Sequence, residues 1–369
     1  MTEPLGMTDQ QRVDDAARQF QVGGTLVAAA PFGAGHIHDS YRAVFEDAGV
    51  LTRILLQRIN HSVFRSPAAL SQNIERVTAH LALKVAAEPE KSRRVLSLVP
   101  TREGQFLYVD DAENFWRAFP FVERTHTFDA VSTPGQAFQA GKAFGQFQSL
   151  LVDFPPPRLH DTIPGFHSTP MRFRALEQAI AADAANRSAE ARPEIDFALA
   201  HRSLADALLR ANLPERVTHN DTKINNVLFD DETGEGICVI DLDTVMPGLA
   251  PYDFGDLVRT STCRSPEDER DLSRVALEFP LFAGLARGYL SSARTFLTEF
   301  EEKNLVLAGK LITFEQGIRF LTDHLAGDHY FKTHRENHNL DRTRAQFKLL
   351  ESIEQQEETL CEFIEDELR

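Results

Sequence analysis

The chain has little cysteine, little tryptophan and a deficit of positive charge. Its 369 residues include three Cys and one Trp, and 39 Lys and Arg stand against 55 Asp and Glu, a formal net charge of −16. Surplus negative charge disfavours nucleic acid and anionic membrane surfaces as partners. The odd number and wide spacing of the cysteines fit neither a disulfide framework nor a zinc site. We therefore expect no nucleic-acid partner and a reducing, cytoplasmic environment.

Long apolar runs are also missing. A helix that crosses a bilayer needs about 20 consecutive apolar residues, and no run in the chain approaches that length. Residues 1–4, MTEP, are polar and lack the apolar centre of a signal peptide. The 42% of hydrophobic residues nevertheless suffice for the cores of two lobes. These features predict a well-packed protein with no membrane partner.

The most informative segment is THNDTKINN, residues 218–226. It places Asp221 two residues after a His, and Asn226 five residues after that Asp. This spacing is typical of a phosphoryl-transfer loop, in which the Asp accepts the proton of the attacking hydroxyl and the Asn reaches a Mg²⁺ ion. So short a motif also fits a turn residue at Asp221 and a strand-edge cap at Asn226.

A second segment, ICVIDLD at 237–243, favours the catalytic interpretation. It is an apolar run that ends in carboxylates, and an acidic, glycine-containing turn separates it from the first segment. The order predicts a hairpin that folds Asp241 back beside Asp221 and Asn226. Carboxylate and amide oxygens suit Mg²⁺. We predict an ATP-dependent kinase with Asp221 as base and Asn226 and Asp241 as metal ligands. Asp243 could join as a second ligand, but we expect it to orient Asp241.

The N-terminal part predicts a small β-rich lobe. A strand at 25–30 runs into a loop with Gly33 and Gly35, and two further β-rich runs at 42–45 and 51–60 follow. In kinases, a glycine loop in this position covers the phosphates of ATP. A pair of glycines without a third also fits an ordinary turn.

Further nucleotide contacts are predicted on the next elements. A helical pattern at 67–86 carries Glu75, which could form with Arg58 the acidic–basic pair that orients ATP phosphates. Gln57 and Arg58 point to opposite faces of their strand, so either could take that role. Glu75 also fits a solvated helix charge.

A hinge is predicted at 119–124, after a strand pair. Its extended segment contains Phe121 and Glu123 and could hold the adenine ring, although an ordinary edge strand fits equally well. Residues 1–124 would form the N-lobe and 125–369 a mostly helical C-lobe, with helices expected at 267–299, 301–327 and 341–368. The predicted fold class is α+β, a bilobal protein-kinase-like fold.

The two segments resemble the signatures of the aminoglycoside phosphotransferase and choline kinase superfamily, and more narrowly the N-acetylhexosamine 1-kinases. The matching stretches are 33–41, 56–60, 73–75, 219–226, 240–243, 245–248, 252–256 and 319–323. The resemblance implies transfer of the ATP γ-phosphate to the anomeric hydroxyl of N-acetylglucosamine or N-acetylgalactosamine, with Mg²⁺. It implies Asp221 as base and Asn226 and Asp241 as metal ligands, and it suggests Arg319 and Tyr330 as sugar contacts.

The charge of the acceptor distinguishes cationic substrates from uncharged sugars. Arg319 would repel a cationic acceptor but can donate to sugar hydroxyls or an acetamide oxygen, and Tyr330 could stack on a pyranose. Alternatively, Arg319 pairs with Glu315 on its helix and Tyr330 belongs to the core. Asp39 and His36 could reach the sugar from the glycine loop.

Three hypotheses remain open on the sequence alone. The first is a sugar 1-kinase, and the second is a kinase for another small alcohol, such as another sugar, an amino alcohol or an aminoglycoside. The third is a catalytically silent ATP-binding module, which the intact Asp221, Asn226 and Asp241 disfavour. Lys223 could contact the γ-phosphate, although a solvated loop lysine is the favoured interpretation.

Overall fold

A computed structural model describes residues 7–33 and 37–369, so the predicted site residues Gly35 and His36 lie outside the described residues. The chain divides into two compact units. Unit 1 consists of Met1–Thr125 and Phe154–Ile163, and unit 2 of His126–Asp153 and Pro164–Arg369. An antiparallel sheet dominates the first unit and helices dominate the second, which confirms the predicted α+β class.

Strands predominate early in the chain and helices predominate later. Those that begin in unit 1 are α1 (Asp9–Arg18), β1 (Thr25–Pro31), β2 (Asp39–Asp47), β3 (Val50–Ile59), α2 (Pro67–Lys84), α3 (Lys91–Arg94), β4 (Tyr108–Val109), β5 (Phe115–Pro120) and β6 (Thr125–His126). Those of unit 2 are α4 (Pro134–Leu150), α5 (Thr169–Ala182), α6 (Arg192–Ala200), α7 (Ala207–Arg210), β7 (Arg216–Thr218), β8 (Val227–Asp230), β9 (Gly236–Val239), β10 (Met246–Gly248), α8 (Ala250–Ser261), α9 (Phe279–Ala293), α10 (Glu299–Lys303), α11 (Leu305–Ala326) and α12 (His338–Leu368). No helix within the described ranges is both long enough and apolar enough to cross a membrane.

The sheet of unit 1 has the strand order β1-β2-β3-β5-β4, and its neighbouring strands pair antiparallel. Because side chains alternate along a strand, Leu56 and Arg58 share a face with Trp116, the residue opposite Arg58 on β5. This face packs against buried residues of α1, among them Val13 and Ala17. The opposite face carries Gln57.

The predicted hairpin of unit 2 is confirmed. Strands β8 and β9 pair antiparallel, with Val227 opposite Val239. Their turn closes on Asp230, whose Oδ1 accepts hydrogen bonds from the backbone N–H groups of Glu232 and Thr233 at 3.0 and 2.9 Å. An Asp that bonds the backbone just after it favours a tight turn. The turn returns the chain beside the loop at 218–226.

The prediction of one long helix at 267–299 is wrong. A short 3-10 helix covers Leu272–Arg274, and α9 begins only at Phe279. Asp271 bonds the backbone and hydroxyl of Ser273, and the Ser265 hydroxyl donates to the carbonyl of Arg274. Such local side-chain bonds compete with the helix ladder and keep the polar stretch irregular.

The backbones of helices α4 and α9 approach each other closely at glycine residues. Two glycines on each helix, four residues apart, face the other backbone: Gly141 and Gly145 on α4, and Gly284 and Gly288 on α9. A Cβ at Gly288 would overlap the carbonyl oxygen of Phe138. The close approach places the final turns of α4, which carry residues of the candidate site, directly against α9.

Candidate active site

The predicted catalytic loop leaves β7 in a sharp, buried turn. Asn220 has a left-handed backbone (φ 65°), which Asn tolerates better than most residues. Its amide nitrogen donates to the carbonyl of Thr244 at 2.9 Å, and its amide oxygen accepts from the Thr218 hydroxyl at 3.0 Å. The Thr244 hydroxyl donates to the carbonyl of His219 at 2.7 Å. The short 3-10 segment after β9 therefore holds the loop from one side.

Asp253 on α8 holds the loop from the other side. Its buried carboxylate accepts hydrogen bonds from the backbone N–H groups of His219 and Asn220 at 2.9 and 2.7 Å. Gln148 of α4 donates to the same carboxylate at 2.6 Å and accepts from the Tyr289 hydroxyl of α9 at 2.6 Å. Burial raises the pKa of Asp253, while these hydrogen bonds oppose that rise. Asp253 was not predicted as a site residue, although it lies in the stretch 252–256 that resembles the superfamily.

Asp221 is held by a lysine and an amide. Lys223 Nζ lies 2.9 Å from Asp221 Oδ2, and Asn226 Nδ2 donates to the carbonyl of Asp221 at 2.9 Å. Burial would raise the pKa of Asp221, but the positive charge and hydrogen bond of Lys223 lower it to about 2. The carboxylate is therefore ionised at neutral pH, and 27% of the side chain remains exposed. Lys223 is not the solvated lysine that was expected, because it forms this ion pair.

Asp241 follows β9 with a left-handed backbone (φ 61°) and an exposed side chain. The N–H of Ile240 donates to the carbonyl of Asn226 at 2.9 Å, which joins the two predicted metal-ligand segments. The protein atoms around the carboxyl group limit its hydration and, with the negative charges of Asp243 and Asp221, raise the pKa of Asp241 to about 7. The predicted carboxylates thus lie close enough to repel one another.

This donor set fits a divalent cation only in part. Among residues 7–33 and 37–369, no three His, Cys, Asp or Glu side chains form a group that could hold a metal. The crowded carboxylates and the nearby amide of Asn226 offer oxygen ligands of the kind Mg²⁺ prefers. Mg²⁺ is commonly bound by one or two carboxylates together with substrate phosphates and water. The residues present therefore fit a Mg²⁺ ion that arrives with a nucleotide.

A buried His–Glu pair contacts the loop just before Asp221. His167 Nδ1 lies 2.9 Å from a carboxylate oxygen of Glu315, and its Nε2 lies 2.8 Å from the carbonyl oxygen of Asn220. Both ring nitrogens face acceptors, and an imidazolium can donate to both of them. Burial lowers the pKa of His167, but Glu315 outweighs it and raises the pKa above the usual value. No sequence pattern had indicated His167.

Arg319 and Tyr330 lie on one side of unit 2. The Arg319 guanidinium stands 5.4 Å from the ring centre of Phe166 and 5.6 Å from that of Phe331. It donates to Gln316 at 3.0 Å and forms no ion pair with Glu315, whose carboxylate binds His167 and the Thr169 hydroxyl.

Tyr330 is not part of the core, because 62% of it is exposed. The Asp323 carboxylate fixes its loop by accepting hydrogen bonds from the backbone N–H groups of His329, Tyr330 and Phe331 at 2.8 to 2.9 Å. The Tyr330 and Phe331 rings meet edge to face, with centres 4.8 Å apart. The Asp323 side chain, near the end of α11, thus fixes the loop that carries both aromatic rings. The Phe331 ring of this loop lies next to Arg319.

In unit 1, the predicted pair of Arg58 with Glu75 is wrong. Arg58 binds the carboxylates of Asp9 at 2.6 Å and Asp39 at 2.8 Å, and its guanidinium stands 5.5 Å from the Trp116 ring centre. Glu75 is exposed on α2. The physical reason is the alternation of β3, which turns Arg58 toward the face that α1 covers. Asp39, predicted to contact the sugar, is bound to Arg58 in the structure.

A different arginine lies on the other face of this sheet. Arg117 on β5 is fully buried and donates from Nε to the amide oxygen of Gln57 at 3.0 Å. Gln57 in turn donates to the Ser40 hydroxyl at 3.0 Å. Gln57 and Arg58 were the residues predicted for the phosphate-orienting role. The contact of Gln57 with Arg117 was not predicted, because nothing local in the sequence marks a residue of β5 as the partner of β3.

The other predicted nucleotide contacts belong to unit 1. Gly33 has a positive φ of 80° and open space where a Cβ would lie. Phe121 meets Phe32 edge to face at 5.2 Å, and Glu123 pairs with Arg53 at 3.0 Å. Their contact with a nucleotide stays a prediction.

Comparison with known families agrees with this site. The model of the phosphotransferase enzyme family matches residues 28–289, well over half of the chain. The match includes the loop at 218–226, the hairpin and Asp253. The chain therefore belongs to the phosphotransferase enzyme family, and the resemblance to the aminoglycoside phosphotransferase and choline kinase superfamily is confirmed.

Solved structures show the same fold. A microcompartment-associated aminopropanol kinase is 17% identical, with a TM-score of 0.58 over 95% of this chain and 98% of that one. An aminoglycoside phosphotransferase from Alicyclobacillus acidocaldarius is 15% identical, with a TM-score of 0.57 over 97% and 98%. A choline kinase from Cryptosporidium parvum is 13% identical, with a TM-score of 0.56 over 98% and 99%. At these identities the likeness is one of fold.

Proposed function

We propose that this phosphotransferase is an ATP-dependent kinase that phosphorylates the anomeric hydroxyl of an N-acetylhexosamine. The observation that carries the proposal is the ionised Asp221, held by Lys223 and by the amide of Asn226, with the crowded carboxylate of Asp241 nearby. A positioned carboxylate beside a cation-binding set is what phosphoryl transfer to a hydroxyl requires.

Asp221 receives the proton of the acceptor. Its carboxylate orients the acceptor hydroxyl by accepting a hydrogen bond from it. The acceptor oxygen forms a bond to the γ-phosphorus while the bond from that phosphorus to the β–γ bridging oxygen breaks, and the hydroxyl proton passes to Asp221. Since the transition state is loose, the transfer occurs late and positioning matters more than base strength. A pKa of about 2 for Asp221 is compatible with this role, particularly for an anomeric hydroxyl, which is more acidic than an ordinary alcohol.

Asn226 and Asp241 would hold Mg²⁺ when the nucleotide is present. When bound, the ion would supply positive charge against the phosphates and against the carboxylates whose repulsion raises the pKa of Asp241. Lys223 supports the ionised state of Asp221 through their ion pair.

The acceptor contacts are assigned to Arg319 and Tyr330. A guanidinium between two aromatic rings can donate to hydroxyl and acetamide oxygens, and an exposed aromatic ring can pack on a pyranose. The alternatives are kinases of the same fold that act on another sugar, an amino alcohol or an aminoglycoside.

An acceptor panel with a matched pair of variants tests the proposal. ADP release with ATP and Mg²⁺ is measured for N-acetylglucosamine, N-acetylgalactosamine, choline, homoserine and kanamycin, and ³¹P NMR identifies the phosphorylated position. Asp221→Asn should lower kcat by about 10²–10⁴-fold, the usual contribution of a positioned base, while calorimetry shows nucleotide binding retained. Asp231→Asn, in the exposed hairpin turn, is the control and should behave like the wild type.

The outcomes separate the assignment as a kinase from the assignment of an N-acetylhexosamine as its acceptor. Turnover of another acceptor, with none of the N-acetylhexosamines, would refute the sugar assignment and leave a kinase. Wild-type turnover in Asp221→Asn would remove Asp221 from the mechanism.

A further inference from the structure

Two arginines from different helices meet at Phe166. Arg172 of α5 donates from Nη2 to the carbonyl oxygen of Phe166 at 3.1 Å, and the Arg319 guanidinium of α11 stands 5.4 Å from the ring centre of the same residue. Burial and the nearby positive charge of Arg319 lower the pKa of Arg172. The two cations are therefore neighbours.

This arginine pair lacks a carboxylate partner. Within the described part of the chain, neither Arg172 nor Arg319 forms a salt bridge, and Arg172 Nε is buried without a hydrogen-bond acceptor. Glu315 is the nearby acid, but His167 and Thr169 occupy both of its carboxylate oxygens. A buried charged donor without an acceptor is costly, and where one persists it needs an explanation such as a missing ligand.

The arginine pair is connected to the predicted catalytic loop. Phe166 is followed in the chain by His167, whose Nε2 binds the carbonyl oxygen of Asn220 at 2.8 Å. Asn220 directly precedes Asp221. The backbone of Phe166, which Arg172 binds, is thus connected to Asn220 through His167 and its hydrogen bond. Asn220 is the residue before the proposed base.

We propose that Arg172 acts together with Arg319 to select acceptors that present oxygen atoms and to reject acceptors that carry an ammonium group. The inference rests on the proposed kinase function and extends it by assigning an acceptor charge class and a specificity residue, Arg172. An incoming oxygen accepts from guanidinium groups that bind no carboxylate, whereas an ammonium group would meet two cations without an anionic partner.

Pairs of acceptors that differ mainly in charge test this inference. N-acetylglucosamine and glucosamine differ at one substituent, and 3,3-dimethylbutanol is the uncharged isostere of choline. Each pair is assayed for ADP release below neutral pH, where glucosamine is protonated, and kcat and KM are determined separately. We expect the wild type to use the uncharged member with a kcat/KM at least tenfold higher, the size of one charge-assisted hydrogen bond of about 1.5 kcal/mol.

The variants isolate Arg172. Arg172→Met should reduce the preference for the uncharged acceptor about tenfold or more, mainly through KM, while Arg172→Lys keeps the charge and should retain part of it. Arg174→Met, at an exposed position of the same helix, is the matched control and should leave the preference unchanged. Thermal unfolding of each variant identifies any effect that comes from loss of the fold.

The results test the role of Arg172 in charge selection separately from the assignment of a sugar acceptor. If the sugars are inert but dimethylbutanol is preferred over choline, and Arg172→Met weakens that preference, the sugar assignment fails and the inference stands. A wild type that prefers the ammonium member of a pair overturns the inference. So does an Arg172→Met variant that folds normally and keeps the wild-type preference.

Discussion

Asn220 and Asp221 are neighbours in the chain, yet their side chains have different environments. Asn220 is buried and all its polar groups are engaged by the protein, whereas Asp221 keeps part of its carboxylate exposed. Asp253 binds the N–H of Asn220, and His167 binds its carbonyl. Holding both backbone groups of the preceding residue fixes the direction in which Asp221 leaves the loop, and this is how a scaffold preorganises a reacting group.

The buried His167–Glu315 pair gives a prediction about pH. The pKa of His167 is raised above its ordinary value of 6.5, and the charged groups that face it are Glu315 and, farther away, Asp256. Stability from a histidine with a raised pKa is fully present below the unfolded value and is lost as pH rises through the folded value. We expect His167→Gln to remove about 1–3 kcal/mol of stability below pH 6.5 and to flatten the decline above it.

Urea denaturation from about pH 6 to about pH 9, with kcat measured on the same samples, checks this prediction. His201→Gln is the control, since its contact with Glu354 is longer, at 3.4 Å, and partly exposed. A variant at His167 with the same pH profile as the wild type would show that the ring is neutral in the folded state. Because His167 acts through Asn220, we expect kcat to fall more than KM changes.

At the scale of elements, α4 and α9 form the rigid base of the loop. Their glycines bring the two backbones together, and the last turns of α4 present Phe144, Phe147 and Gln148 toward it. Phe144 and Phe147 contact the ring of His219 edge to face at 5.2 and 5.7 Å. The buried chain from Tyr289 through Gln148 to Asp253 then carries this packing to the loop backbone.

A methyl group between the two helices should disturb both stability and activity. Gly288→Ala places a Cβ against the carbonyl oxygen of Phe138, so the helices must separate. Overpacking of this kind costs about 1–3 kcal/mol, and we expect it to lower kcat as well because Gln148 moves with α4. Urea denaturation and steady-state kinetics measure the two effects.

The matched control is Gly135→Ala in the first turn of α4. There an added Cβ meets only the Thr133 hydroxyl oxygen, at an ordinary 3.9 Å. Such a change should be neutral or stabilising by up to about 1 kcal/mol. Equal unfolding midpoints for the two variants would mean that the close approach of the helices does not limit stability.

At the scale of the whole molecule, the chain passes from one compact unit to the other more than once. It leaves unit 1 after Thr125, returns for Phe154–Ile163 and leaves again. This returning segment lies within residues 125–369, which were predicted as the second lobe. Asn73 of α2 holds it in unit 1: its Nδ2 donates to the carbonyl of His160 at 2.8 Å, and its Oδ1 accepts from the N–H of the same residue at 3.0 Å.

Removing the Asn73 amide should loosen the returning segment. Asn73→Ala deletes both bonds to the His160 backbone, and we expect its local opening free energy to fall by about 1–3 kcal/mol. Hydrogen exchange of the amides in Phe154–Ile163 measures this, with Leu83→Ala at an exposed position of α2 as control. Unchanged exchange in Asn73→Ala would indicate that other contacts, such as those of Arg76 with the carbonyls of Pro155 and Pro157, hold the segment alone.

Prediction succeeded where the relevant contacts are local. Asp221, Asn226 and Asp241 were placed together from the sequence because one hairpin with a tight turn connects them. It failed for Arg58, since the face of a strand that becomes covered depends on which helix packs there. Hydrophobic alternation shows that β3 has two faces but does not say that α1 will cover the one with Arg58.

The sequence by itself determined the class of chemistry, because the order of loop, turn and strand brings the proposed base and cation ligands together within 26 residues, 218–243. Only the tertiary structure revealed what holds and surrounds them. Asp253, His167 and Arg172 reach the loop or its neighbours from helices and loops elsewhere in the chain, and no local pattern encodes contacts between such distant segments. Such contacts form only when the helices pack, since burial makes an unsatisfied polar group costly and so selects these partners.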